Sequence, residues 1–306
     1  MTIQDHNNAM LDTVGRAIEY CFETLERSKV FYGHGTDNPW DEAVQLVLLA
    51  AGLPPDADES LLSRQLEDAQ QHTITNWLER RVNEQLPLPY ITGRAWFAGL
   101  EFACDPRALV PRSPLAELIV NGYQPWYAGP EPANILDLCC GGGCIGLAAA
   151  HYQPSAHVEL ADIDSAALSL AQENRDRLGF GSRVAIHQSD LFQNLQGRRY
   201  DIILCNPPYV DADDLASMPA EYQHEPELAL GSGADGLDLA RRILASARAH
   251  LEAHGLLVME VGNSWQALEA AYPGVPFTWL EFEHGGHGVL ALTAAELDEF
   301  SDSLSR

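Results

Sequence analysis

Apolar residues recur at helical spacing in the first part of the chain. Leu11, Val14, Ile18, Cys21, Phe22 and Leu25 form one stripe. Asn38 followed by Pro39 predicts a helix start, because a capping side chain precedes a ring already set near helical φ. Asp41 adds an acid of the capping-box kind. That helix carries Val44, Val47, Leu48 and Leu49 and stops near Gly52 and the Pro54-Pro55 pair. Two more helical stretches are expected at 61–69 and 74–86, with no sustained heptad and no internal repeat. Pro87 and Pro89 then break the pattern, and two short β-type runs, 90–93 and 96–102, suggest a hairpin.

From about residue 113 strand-like runs alternate with helical segments, at 134–138, 157–161, 184–188, 200–205, 255–261, 277–282 and 288–293. Such alternation predicts an α/β domain with a mostly parallel seven-stranded sheet covered by helices. The expected organisation is a helical domain over 1–86, a β-hairpin connector over 87–112 and a catalytic domain over 113–306. Ligands of such a sheet bind outside the carboxyl ends of the strands, so the residues just after each strand are the candidates for chemistry.

Asp137-Leu138-Cys139-Cys140-Gly141-Gly142-Gly143-Cys144-Ile145-Gly146 runs from a strand into a helix. Glycines there let a ligand approach the backbone, and the helix N-terminus offers free N–H groups. Asp162, at the end of the next strand, is placed to hold both hydroxyls of a ribose. The loop by itself fits two cofactors. Gly141, Gly143 and Gly146 spell the G-x-G-x-x-G of nicotinamide dinucleotide sites. Asp137 with Gly141 and Gly143 spells the D-x-x-x-G-x-G loop of class I S-adenosylmethionine methyltransferases. In the second reading Asp190, after the third strand, accepts from the adenine amino group; its plainer reading is a turn or helix cap.

Asn206-Pro207-Pro208-Tyr209 decides between them. It follows the strand 200–205 and so opens into the same crevice. An amide or aromatic amine is a poor nucleophile, because its lone pair is delocalised. The Asn206 side-chain oxygen and the Pro207 carbonyl can accept the two N–H bonds of one NH₂ group and orient its nitrogen, and Pro207 has no N–H to compete. Tyr209 can pack against a flat substrate group or a sulfonium. Nothing here suits hydride transfer: the one lysine, Lys29, lies far away in the helical part. The candidate catalytic residues are therefore Asn206, Pro207 and Tyr209. The cofactor set is Asp137, Gly141, Gly143, Asp162, Asp190 and Asn206, and Asn206–Tyr209, Pro208 included, is the substrate set.

Composition narrows the partners. Eighteen basic residues stand against 44 acidic ones among 306, a net charge of −26. Such a surface repels phosphate backbones and speeds encounter with a basic partner. That opposes the other common use of an NPPY motif, N6-methylation of adenine in nucleic acid. No run approaches the roughly 18 apolar residues of a membrane span, and the N-terminal decapeptide does not have the form of a secretory leader, so a cytoplasmic protein is expected. Cys21, Cys104, Cys139, Cys140, Cys144 and Cys205 form no CxxC pair and are expected to be reduced. His34, His224, His284 and His287 match no zinc spacing, so no metal is expected. Glu225 reads either as a proton acceptor or as a partner of Arg112.

Taken together the motifs resemble the HemK-type protein-glutamine N5-methyltransferases. The resemblance covers nearly the whole chain: Tyr32-Gly33-His34-Gly35-Thr36-Asp37-Asn38-Pro39-Trp40-Asp41-Glu42-Ala43, Leu109-Val110-Pro111-Arg112-Ser113-Pro114, the NPPY tetrapeptide, and His224-Glu225-Pro226-Glu227-Leu228. It implies a Rossmann-like class I fold, S-adenosylmethionine as methyl donor and a glutamine side-chain amide as acceptor. Within the family, the first of these segments and Ser113 point to the branch acting on the third protein of the large ribosomal subunit, a basic substrate. The sister branch, acting on peptide release factors, usually has a proline where Ser113 stands. The chain departs from the usual loop at Cys140 and Gly142, and Gln223 stands where an arginine is common.

Overall fold

A computed structural model describes residues 11–304, so the N-terminal decapeptide lies outside the described residues. Chain contacts divide the protein into two units. One runs to Arg94 and takes in Pro219–His224; the other holds Ala95–Met218 and the chain from Glu225 on.

The first unit is helical. Thr13 caps α1 (Val14–Glu26), and Asn38 caps α2 (Pro39–Ala50) by accepting from the Asp41 amide at 2.9 Å. One face of α1, with Val14, Ile18, Cys21 and Leu25, packs with Leu46, Val47, Ile74, Leu78 and Leu88. The stretches expected at 61–69 and 74–86 resolve differently. A 3₁₀ turn covers Glu59–Ser63, and one helix, α3 (Asp68–Asn83), spans the rest. Its start is set by a capping box in which Glu67 and Gln70 satisfy each other's backbone. Residues 90–93 are likewise no strand. Leu88–Thr92 form α4, because prolines at the start of a helix lose nothing by lacking an N–H, and Gly93 closes the turn at φ +71°.

Within this unit Arg81 is buried and fully engaged. Its guanidinium donates to Glu42 (2.6 Å), to Glu221 (3.0 Å) and to the Phe31 carbonyl (2.7 Å). Glu221 also accepts from the Phe31 amide at 2.7 Å, and the His34 ring lies tilted against Tyr222 with ring centres 4.6 Å apart. His224 meets the Glu84 carbonyl at 3.0 Å.

The second unit opens with a hairpin, β1 (Arg94–Phe97, from the boundary residue on) and β2 (Leu100–Ala103). Ala98 and Gly99 both have positive φ, as a two-residue turn of the right twist requires. After α5 (Leu115–Val120) come β3 (Asn134–Leu138), α6 (Cys144–Tyr152), β4 (His157–Asp162), α7 (Ser165–Arg177), β5 (Val184–Gln188) and β6 (Tyr200–Cys205). Then follow α8 (Ala212–Ser217), α9 (Asp238–Ala247), β7 (Leu251–Glu260), α10 (Trp265–Ala271), β8 (Thr278–Trp279), β9 (Val289–Thr293) and α11 (Ala294–Glu299). The sheet order is β5-β4-β3-β6-β7-β9-β8. The first five strands are parallel, and β9 runs antiparallel to β7 and β8.

Strand residues alternate between two cores, as a period of two demands. Ile135, Ile202, Leu204 and Val258 pack on the α5 and α6 side; Leu136, Ile203, Leu257 and Met259 pack with Ile243, Leu244 and Leu268 on the other. A sheet buried on both faces explains the nearly continuous apolar runs in the sequence. The run at 277–282 keeps only two paired residues, Thr278 and Trp279, which suits a sheet edge.

Candidate active site

Order in the sheet reverses between β3 and β6, and the two strands lie side by side with Leu138 opposite Cys205. Their next residues, Cys139 and Asn206, therefore emerge together at the carboxyl edge, where a doubly wound sheet binds its ligand. This brings the glycine loop and the NPPY tetrapeptide to one place.

The loop turns through left-handed backbone at Cys139 (φ +60°), Gly141 (φ +53°) and Gly143 (φ +82°) before α6 begins. Asp137 lies beneath it, fully buried, with Oδ2 accepting from the Gly146 amide at 2.7 Å and Oδ1 without a partner. Burial pushes its carboxyl up to about 8, against the Gly146 hydrogen bond that favours the ionised form. Gly146 must be glycine: a Cβ there would stand 2.2 Å from Leu160 Cδ2 and 2.8 Å from Asp137 Cβ. Asp162 braces the loop from β4, accepting from the Gly141 amide (2.8 Å) and the Asp164 amide (2.9 Å). Burial raises its carboxyl too. Asn174 of α7, buried, donates to the Gly142 carbonyl (3.0 Å) and pairs with both backbone groups of Ala103, so the hairpin and the loop share one anchor.

Asn206 is partly exposed, and its side-chain amide makes no hydrogen bond to another described residue. Tyr209, by contrast, is held at three points. Its hydroxyl donates to Glu260 (3.0 Å), and its carbonyl accepts from Ser264 Oγ (2.7 Å). Its ring lies so close to Gly262 that a Cβ there would approach it to 2.4 Å. Glu260 ends β7 and also accepts from Ser113 Oγ at 2.6 Å. Glu225 is the partner of Arg112, through two contacts of 2.6 Å, and takes the Val110 amide at 2.9 Å. With a guanidinium on both its oxygens it is a structural anion rather than a proton acceptor.

Asp190 stands apart. It follows β5, two strands away from β3, and its carboxylate is paired with Arg242 at 2.8 and 2.9 Å and with Gln193 at 3.0 Å. The structure thus brings together Asp137, Gly141, Gly143, Asp162 and Asn206–Tyr209, and pairs Asp190, at the same carboxyl edge of the sheet, with Arg242. Sequence alone does not reach Glu260, Gly262, Ser264 and Asn174, and takes Ser113 only as a mark of the family branch. For Glu260 there was a signal: a lone acid closing the apolar run Leu256-Leu257-Val258-Met259.

Comparison with known proteins identifies the family. Residues 128–221 match the methyltransferase small domain family. A ribosomal protein uL3 glutamine methyltransferase of Francisella tularensis is 43% identical over 297 residues, spanning 97% of this chain and 95% of that protein. One of Xylella fastidiosa is 46% identical over 295 residues, spanning 96% and 94%.

The chain belongs to the ribosomal protein uL3 glutamine methyltransferase family.

Members of this family are S-adenosylmethionine-dependent methyltransferases, and the present chain is one. The fold is shared more widely. The catalytic domain of hMettl16, in complex with an RNA hairpin, superposes with a TM-score of 0.54 at 17% identity, covering 81% of this chain and 91% of that one. The residues of this uL3 glutamine methyltransferase family member fit the cofactor: a glycine turn open to the helix N-terminus, a braced acid for ribose hydroxyls, and an unpartnered buried oxygen on Asp137.

Proposed function

We propose that this protein transfers the methyl group of S-adenosylmethionine to the side-chain amide nitrogen of a glutamine in ribosomal protein uL3. One observation carries the reading: the unengaged Asn206 amide leaves β6 beside the glycine loop that leaves β3. The relatives named for uL3 supply the substrate.

In this reading Asn206 Oδ1 and the Pro207 carbonyl accept the two N–H bonds of the glutamine amide. They fix the nitrogen's orientation and favour the positive charge that grows on it. Pro208 keeps the turn extended after Pro207, and the Tyr209 ring covers the flat amide. Asp137, Gly141, Gly143 and Asp162 hold the cofactor's amino-acid and ribose parts, and Asp190 the adenine, once its carboxylate is shared with Arg242. The cofactor supplies an electrophilic methyl on a cationic sulfur; the protein supplies position and field. The helical unit acts as the substrate-recognition module, and the −26 charge steers a basic ribosomal protein inward. A ribosomal-protein substrate places the work in the cytoplasm. Among the described residues no helix is long and apolar enough to cross a membrane.

The test is incubation with labelled S-adenosylmethionine and, in parallel, unmodified uL3, a peptide release factor and an adenine-containing duplex, with Asn206→Ala beside the parent. Label on a uL3 glutamine alone, abolished by the substitution, is expected. Label on release factor keeps the chemistry and overturns the substrate; label on the duplex overturns both.

A further inference from the structure

The three-point grip on Tyr209 exceeds what packing a loop tyrosine needs. Glu260 and its partners come from distant parts of the chain: Ser113 before α5, Tyr209 after β6 and Glu260 at the tip of β7. Cys205 pairs with Met259, so Asn206 and Glu260 each stand one residue beyond the last paired position of adjacent strands. The carboxylate therefore sits level with the amide acceptor.

The surroundings leave the ring little freedom. Gly262 (φ +47°) has no room for a Cβ against it, and a Cβ on Gly236 (φ +75°) would meet the Tyr209 carbonyl at 2.2 Å. The ring is bounded by backbone on one side, and its hydroxyl ends on Glu260. Glu260 is 5% exposed, and both its oxygens are occupied by hydroxyl donors, Tyr209 on one and Ser113 on the other. A buried carboxylate satisfied by two hydroxyls is a costly device. It returns that cost by fixing an aromatic ring in place and by drawing its hydroxyl proton toward the carboxylate, which enriches the ring face in electrons. Burial raises the Glu260 carboxyl above its ordinary range, while both hydroxyls and Arg112 oppose that rise.

We propose that Glu260 and Ser113 are positioning residues for methyl transfer, acting through Tyr209: they hold its ring in the place and electronic state that the reacting amide requires. The inference rests on the amide-methylation reading above and deepens it. Glu260 touches no reacting atom. It sets the residue that does.

The experiment is a double-mutant cycle of Tyr209→Phe and Glu260→Ala, with Glu260→Gln as the conservative variant and Ser113→Ala as a milder one. Steady-state methylation of uL3 gives kcat and KM, calorimetry gives cofactor affinity, and urea unfolding gives stability. Tyr209→Phe and Glu260→Ala should each lower kcat about tenfold, the order expected of one lost hydroxyl–carboxylate hydrogen bond, and Ser113→Ala by less. KM for uL3 and cofactor affinity should stay within about twofold. The double variant should be no slower than the slower single, because one linkage is lost only once. Glu260→Gln should regain most of the rate, since an amide oxygen still accepts from the Tyr209 hydroxyl.

Losses that multiply to about a hundredfold would overturn the proposal, as would a kcat unchanged in Glu260→Ala. So would cofactor affinity falling in step with kcat. If Glu260→Ala fails to fold, Ser113→Ala and Glu260→Gln carry the comparison. A parent enzyme that labels release factor and not uL3 overturns the substrate reading alone, and the same cycle is then run on release factor. A parent that labels neither overturns both readings.

Discussion

Asp137 gives the sharpest test of how burial controls this site. It is fully buried and has an oxygen with no partner; burial, with the nearby Asp162 carboxylate, pushes its carboxyl up to about 8 against the one hydrogen bond from Gly146. In the unfolded chain the same group titrates near ~4. Between those values the folded protein keeps a proton that the unfolded chain has released. Stability therefore falls as pH rises; the contribution is complete below about 4 and is lost as pH climbs through about 8. The slope is about 1.4 kcal/mol per pH unit, so from about pH 5 to about pH 8 the parent loses on the order of 3.5 kcal/mol from this group. Asp137→Asn removes the ionisation and keeps the shape, and its carbonyl still accepts from Gly146. Its NH₂ lacks an acceptor at a roughly pH-independent cost of about 1 kcal/mol. Urea unfolding followed by tryptophan fluorescence, without cofactor, should find the variant within about 0.5 kcal/mol of the parent at about pH 5 and more stable by about 4 kcal/mol at about pH 8. A stability difference identical at the two pH values would refute the reasoning, because it would mean that Asp137 is charged in the folded state throughout.

Other perturbations follow from the same contacts. Arg112→Ala takes the guanidinium from both oxygens of the buried Glu225; allowing for the partial exposure of Arg112, unfolding should become easier by about 2 kcal/mol, and a change below about 0.5 kcal/mol would show that solvent screens the pair. Gly146→Ala drives a methyl into Leu160 and Asp137, so about 2 kcal/mol of stability should go, and calorimetry should find cofactor affinity down about tenfold or more. Rising salt should slow encounter with the basic substrate and leave cofactor affinity nearly unchanged; equal sensitivity of both would end the steering idea.

How much of this is legible without coordinates depends on how local its cause is. The strands at 134–138, 184–188 and 200–205 are runs of apolar residues between clear breaks, and they fold as read. The glycine loop and the NPPY turn are also continuous in sequence. Leu88–Thr92 misled because Pro87, Pro89, Tyr90 and Ile91 resemble a broken strand, whereas prolines at the first helical positions are favourable. The run 277–282 was long enough for a strand but meets a partner only at Thr278 and Trp279. Glu260 was hidden for another reason. Its partners lie 51 and 147 residues away, and nothing in a linear pattern brings Ser113, Tyr209 and Glu260 to one point. Arg242 beside Asp190 is the same case across 52 residues.

The Arg81 cluster bears on the order in which the chain can settle as it is synthesised. Glu42 is present as soon as Arg81 is made, but Glu221 follows 140 residues later. By then β1 to β6 have all been made. An emerging helical unit thus holds a guanidinium with one carboxylate where the finished protein has two, and the Phe31 amide waits for the same acid. Domains generally fold from the N-terminus onward as they appear. Here the first unit finishes only after much of the second exists, and no single cut of the chain yields it whole.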